Sequence, residues 1–179
     1  MENTNIKRNL LIAGGGLIAL AIIITIIIVA INIHNKPNEE KAKSIVESYI
    51  QAMSEGNGEK MLSVIDKEGY IIFNKVEEKN FDENYKKKSD FISNYLSENK
   101  YSDLNAASQK ISSDFENVYG YYIYTLNEIT SIENSERSKN LIVVRCKVQL
   151  KSNRYSTVNS AKFYILKNNG DYKIVGIDM

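Results

Sequence analysis

The stretch at residues 141–151, LIVVRCKVQLK, decides the fold class. Ile142, Val144, Cys146, Val148 and Leu150 occupy every second position, and Arg145, Lys147, Gln149 and Lys151 fall between them. A period of two is that of a strand with one buried and one wet face. Residues 154–167 read as the next strand. Asn168-Asn169-Gly170-Asp171 is a hairpin turn with glycine where positive φ is easiest, and residues 172–177 close the sheet. On the other side, residues 119–129 carry aromatic and β-branched side chains at successive positions, which predicts a strand covered on both faces.

Ahead of these strands the period is helical. Ala42, Ile45, Val46, Tyr49, Ile50 and Met53 make one stripe, with Pro37 suited to the first turn and Glu39 and Glu40 at the positive end of the dipole. Gly56-Asn57-Gly58 supplies a left-handed stop. A shorter helix carries Met61, Leu62 and Ile65 before Gly69, and residues 70–76 leave strand and buried loop both open. Phe81, Tyr85, Lys88, Ile92 and Leu96 predict one helix, of which Lys86-Lys87-Lys88 is a solvated face or a phosphate site. Leu104, Ala107, Ile111, Phe115 and Val118 predict another, capped by Ser102 or Asp103. Helices followed by an antiparallel meander make an α+β domain of four strands.

Two segments carry a resemblance. AKSIVESYIQAMSEGNGEKMLSVID at residues 42–66 is similar to the opening of nuclear transport factor two-like (cystatin-like) domains of exported bacterial proteins, where an aromatic-bearing helix meets a short second helix through a Gly/Asn turn. KNNGDYKIVGIDM at residues 167–179 resembles their closing hairpin. The resemblance covers both ends of residues 38–179, and residues 78–118 depart from it with extra helical sequence. It implies a curved sheet wrapped around helices, often with a cone-shaped pocket, on a fold that hosts enzymes and adaptors alike. It assigns no functional residue.

Residues 10–31 are apolar or glycine except for Thr25, a run long enough to cross a bilayer as a helix. Lys7 and Arg8 precede it, which predicts a cytoplasmic tail at residues 1–9, a transmembrane helix at 10–31, a tether at 32–37 and an extracytoplasmic domain at 38–179. The rival is a cleaved secretory signal. Its apolar region would be only about 7–15 residues long and would end in a small-x-small site, whereas Ala19-Leu20-Ala21 lies in the middle of this run and Ile28-Val29-Ala30 has a poor residue three before any cut. Gly15 and Ala19 form a small-xxx-small pair that would let two such helices approach, although glycine is also simply tolerated in membrane helices. A membrane is thus the expected partner, and self-association is a second.

Charge and chemistry narrow the function further. A formal net charge of +1 argues against nucleic acid, but residues 33–136 hold 12 basic and 19 acidic side chains, and residues 137–179 hold 9 and 2. These halves either attract each other within the fold or leave a basic face exposed. The Ile-, Lys- and Asn-rich composition resembles that of proteins from low-GC Gram-positive bacteria. The single cysteine allows no internal disulfide, and Cys146 falls on an apolar strand face, as a core thiol would. His34 lies where the membrane run ends, so no histidine is available to a nucleophile in the domain. No acid, His or Cys cluster has metal-ligand spacing, and no cofactor is expected.

Enzymes of the resembling fold use a carboxylate with pocket tyrosines. Tyr119, Tyr121, Tyr122 and Tyr124 offer hydroxyls, and Asp114 and Glu128 offer carboxylates, without a pattern that pairs them. The expectation is therefore a non-enzymatic, membrane-anchored binding module. Its candidate partner face is Arg145, Lys147 and Lys151, for an acidic protein, an anionic envelope polymer or lipid headgroups. The alternatives are a structural assembly subunit of a type IV secretion or conjugation channel, and an isomerase or hydratase-like enzyme.

Overall fold

The structure, a computed structural model, describes residues 37–119 and 121–179. The expected tail, transmembrane helix and most of the tether lie outside the described residues. Among the described residues no helix is long and apolar enough to cross a membrane.

The chain forms an α+β unit in which helices precede a four-stranded antiparallel sheet. Helix α1 (Glu39–Ser54) starts at Asn38, whose side chain accepts from Lys41 N–H at 3.0 Å. Pro37 therefore stands before the cap rather than in the first turn. The helix ends where Gly56 takes φ 60°. Helix α2 (Gly58–Ser63) is capped by Asn57, and α3 (Lys67–Phe73) by Asp66, which accepts from Gly69 N–H at 2.7 Å. Residues 70–76 are thus mostly helical, neither strand nor loop. Gly69 lies within that helix instead of ending the previous one, because the Asp66 cap restarts helix formation three residues earlier.

A 3-10 turn (Glu78–Asn80) leads into α4 (Phe81–Lys86) and α5 (Lys88–Glu98). The single helix expected over this stretch is broken at Lys87, with φ −104° and ψ 26°. Phe81 and Tyr85 stack at 5.4 Å, and the Tyr85 hydroxyl donates to Asp66 at 2.9 Å, which fixes α4 independently of α5. Helix α6 (Leu104–Tyr119) opens at Asp103, which accepts from Ala106 N–H at 2.9 Å. Val118, expected in its buried stripe, is exposed.

Strands β1 (Ile123–Asn134), β2 (Leu141–Lys151), β3 (Ser156–Asn168) and β4 (Asp171–Asp178) follow in sheet order. Asn169 and Gly170 take φ 49° and 88° in the β3–β4 turn, as its sequence requires. Strand β1 differs from expectation, being covered on one face only. Bulges between Leu126 and Glu128 and between Ile129 and Ser131 each insert a residue. They bring Leu126, Ile129 and Ile132 onto one face, opposite Val148, Cys146 and Val144.

Two cores result. On the inner face, Val46, Tyr49 and Met53 of α1 pack with Met61, Phe115 and the inward row Ile142, Val144, Cys146 and Val148. On the outer face, Ile71, Ile72, Phe81 and Ile92 cover Leu141, Val143, Tyr164, Leu166 and Val175. The outer helices cover the end where Leu141 and Val143 stand, because β2 turns apolar on both faces there.

Candidate functional site

Cover on the outer face stops between Val143 and Arg145 on β2 and between Tyr164 and Lys162 on β3, which are cross-strand neighbours. Past that line the face is open. Its rows read Arg145 with Lys162, Lys147 with Ser160 and Glu128, Gln149 with Val158 and Thr125, and Lys151 with Ser156 and Ile123. The three sequence-derived candidates, Arg145, Lys147 and Lys151, therefore share one exposed face.

Their charges are not equally free. Arg145 pairs with Glu133 at 3.0 Å and Lys147 with Glu128 at 2.9 Å, so the acidic and basic halves of the sequence meet across β1 and β2. Such exposed pairs contribute little to stability but lower the local charge. A depression of about 430 Å³ lies beside them, lined by Arg145, Lys147, Ser160, Lys162 and Asp178. Lys162 sits over the Tyr164 ring at 5.6 Å, at the border of the helical cover.

Sequence reading missed the apolar members of this face. Ile123 is 59 % exposed and Val158 49 %, and Tyr155, in the β2–β3 turn at the end of the sheet, is 55 % exposed. Ile123 and Val158 flank Lys151 and Gln149. Val158 was legible as an outward position of β3 by alternation from Ala161 and Phe163, once the register was known. Ile123 was assigned to a doubly covered strand, and only the bulges correct that.

The interior beneath the inner face, where the resemblance implies a pocket, is occupied by aromatic rings. Tyr49 meets Phe115 at 6.1 Å and Phe163 at 5.8 Å, Tyr70 meets Phe115 at 5.7 Å, and Tyr119 meets Tyr124 at 5.8 Å, mostly edge to face. Burial raises the pKa of Tyr49, Tyr70 and Tyr119 above the usual phenol value, and that of Tyr124 to about 12.

The catalytic candidates do not converge. Tyr121 is solvent-exposed, Asp114 is an exposed partner of Lys110 on α6, and Glu128 points outward to Lys147. Cys146 is 2 % exposed, and burial pushes its thiol up to about 11.

A cleft of about 960 Å³ lies between the α1–α2 turn and α6. Its walls are polar, among them Asn57, Glu59, Ser112 and Glu116. Next to it Gly58 lies against α6: a Cβ there would stand 2.3 Å from the Ser112 carbonyl oxygen. Among the described residues there is no histidine to activate its serines, and no group of three His, Cys, Asp or Glu side chains arranged to hold a metal ion. No protein-family model matches the chain, and no curated protein sequence matches it.

Proposed function

We propose that this protein is a single-pass, membrane-anchored binding module of nuclear transport factor two-like type, whose extracytoplasmic domain docks an acidic protein partner on the open half of the outer sheet face. The observation that carries this reading is the composition of that half-face. Exposed Ile123 and Val158 share this face with Arg145, Lys147, Lys151 and Lys162, so apolar contact and charge are offered together. Apolar anchors ringed by cations suit a partner with an apolar centre and an acidic rim. The segment from Arg137 to Lys173 holds a single acid, Asp171, which supports the sign of that partner.

The ring-filled interior and the dispersed carboxylates favour binding over catalysis. The family reading is supported by the capped α1–α2 pair, the antiparallel order β1-β2-β3-β4 and the closing hairpin. The anchor reading is supported by the apolar run at residues 10–31 after Lys7 and Arg8.

A photo-crosslinking side chain in place of Val158, introduced into the full chain in living cells, tests the docking face. The expected result is a discrete adduct that is lost on Lys147→Glu with Lys151→Glu and weakened by salt, since exposed charges are screened over about 10 Å at 0.1 M. An adduct unchanged by the reversal, or none at all, overturns this reading. A cysteine placed at Ser97 should react with membrane-impermeant maleimide in intact cells and one at Asn5 should not; the opposite pattern overturns the topology.

A further inference from the structure

The sheet has two edges, and among the described residues each is met by the chain at one position. At β4, Asp66 N–H donates to the Ile174 carbonyl at 3.0 Å and Ile174 N–H to the Val64 carbonyl at 2.9 Å, so the α2–α3 segment bonds that edge at Ile174. At β1 the closure is also local. The Ser54 hydroxyl accepts from Tyr124 N–H at 2.8 Å and donates to the Tyr124 carbonyl, satisfying both outward groups of one residue. Beyond it, residues 126–132 face no neighbouring strand among the described residues.

A groove of about 550 Å³ runs between this free edge and α1. Its floor is Leu126, Ile129 and Ile132, half-buried and aligned by the two bulges. Its wall is Glu39, Glu40 and Glu47 of α1, with Lys43 at 3.7 Å from Glu47. Unpaired strand N–H and C=O groups are a template for another extended chain. Here they adjoin an apolar floor and an acidic wall, and these together specify an occupant.

We propose that residues 126–132 and the acidic side of α1 form a second docking groove, for an extended basic segment of a partner protein that adds to the sheet as a fifth strand. Main-chain hydrogen bonds would supply affinity, and alternate side chains would supply specificity. Lys or Arg at every second position would lay its alkyl stem on Leu126, Ile129 and Ile132 and reach the glutamates with its cation. Charge complementarity selects this occupant over a second copy of the chain, whose own acidic wall would meet the first. The bulges also interrupt the long straight register that edge-to-edge pairing of two β1 strands needs.

The test uses the full-length protein and the heptapeptide Lys-Val-Lys-Val-Lys-Val-Lys. Amide hydrogen exchange at residues 126–132 should slow on binding, with no comparable change at the uncovered outer face. The same peptide N-methylated at alternate residues, and one with Glu for Lys, should each bind about tenfold weaker or worse. Glu40→Lys with Glu47→Lys should weaken the basic peptide by about tenfold while lowering Tm by only a few degrees. Equal binding by the N-methylated peptide would reduce the contact to charge alone and overturn strand addition. Protection elsewhere also overturns the proposal. So does protection without peptide, which would mean a second copy if it grows with protein concentration, and the chain's own residues if it does not.

Discussion

Tyr49→Phe should stabilise this protein, an unusual sign for a substitution at a fully buried site. Tyr49 has no exposed surface and its ring packs edge to face on Phe115 and Phe163. Its hydroxyl sits beside that of Tyr119, near enough for an electrostatic contact but outside hydrogen-bond geometry. A buried hydroxyl left unpaired costs about 1–3 kcal/mol. Deleting it keeps every ring contact and forfeits only the packing of one oxygen, a few tenths of a kcal/mol. The net gain is about 1–2 kcal/mol, or about 3–6 °C in Tm for a unit of this size. Urea unfolding should show a higher midpoint at unchanged slope. The pH dependence adds a second signature. Burial, then the neighbouring phenols, raise the Tyr49 pKa in the folded state, so stability is full below the unfolded value of about 10 and falls as pH rises above it. The variant loses that liability, and its advantage should widen above pH 10. A loss of 1 kcal/mol or more at neutral pH would refute the reasoning. It would mean that Tyr119 or a water holds the hydroxyl, and that the interior is not a filled core.

Three further outcomes follow from the packing. Cys146 should react slowly with thiol reagents at pH 8, and stability should fall as pH rises from the unfolded thiol value of about 8.5 towards about 11, a slope that Cys146→Ala flattens. Gly58→Ala should cost about 2–3 kcal/mol by thermal unfolding, because its Cβ would meet the Ser112 carbonyl oxygen at 2.3 Å and push α2 off α6. Asp82 accepts from the Ser138 hydroxyl at 2.8 Å, Lys139 N–H at 2.8 Å and the Asn140 amide at 3.0 Å, so Asp82→Ala should cost about 2–4 kcal/mol and speed hydrogen exchange in the β1–β2 loop.

The strands with strict alternation were legible in the sequence, and those with insertions were not. LIVVRCKVQLK became β2 at the bounds its period gives, and the Asn-Gly turn set the β3–β4 hairpin. Strand β1 was misread because a bulge changes which face each later residue occupies. Leu126, Ile129 and Ile132 are spaced by three, a spacing that a period-two reading spreads over both faces. Helix α3 was missed because YIIF lacks a stripe of its own; its start is fixed by Asp66, and Phe73 packs against Gly176, a contact remote in sequence. The basic face was found by alternation alone. Its ion pairs were not, since Glu128 comes opposite Lys147, and Glu133 opposite Val143 and so diagonal to Arg145, only after the bulges shift the register.

The same alternation explains where a partner would dock. Along the outer side of β2 the residues run Leu141, Val143, then Arg145, Lys147, Gln149 and Lys151; along β3 they run Leu166, Tyr164, then Lys162, Ser160, Val158 and Ser156. The change from apolar to polar falls at the same row on both strands, and the helices stop there. Beyond that row polar side chains satisfy folding, because water already covers the face. Ile123 and Val158 break the pattern, and stability gives no reason for them: replacing a half-exposed valine on an open sheet face changes stability by a few tenths of a kcal/mol. Val158→Ser should therefore leave Tm nearly unchanged yet remove partner capture, as measured by crosslinking from Tyr155. If capture survives with Tm unchanged, the apolar residues are ordinary surface and only the cations of this face can recognise a partner.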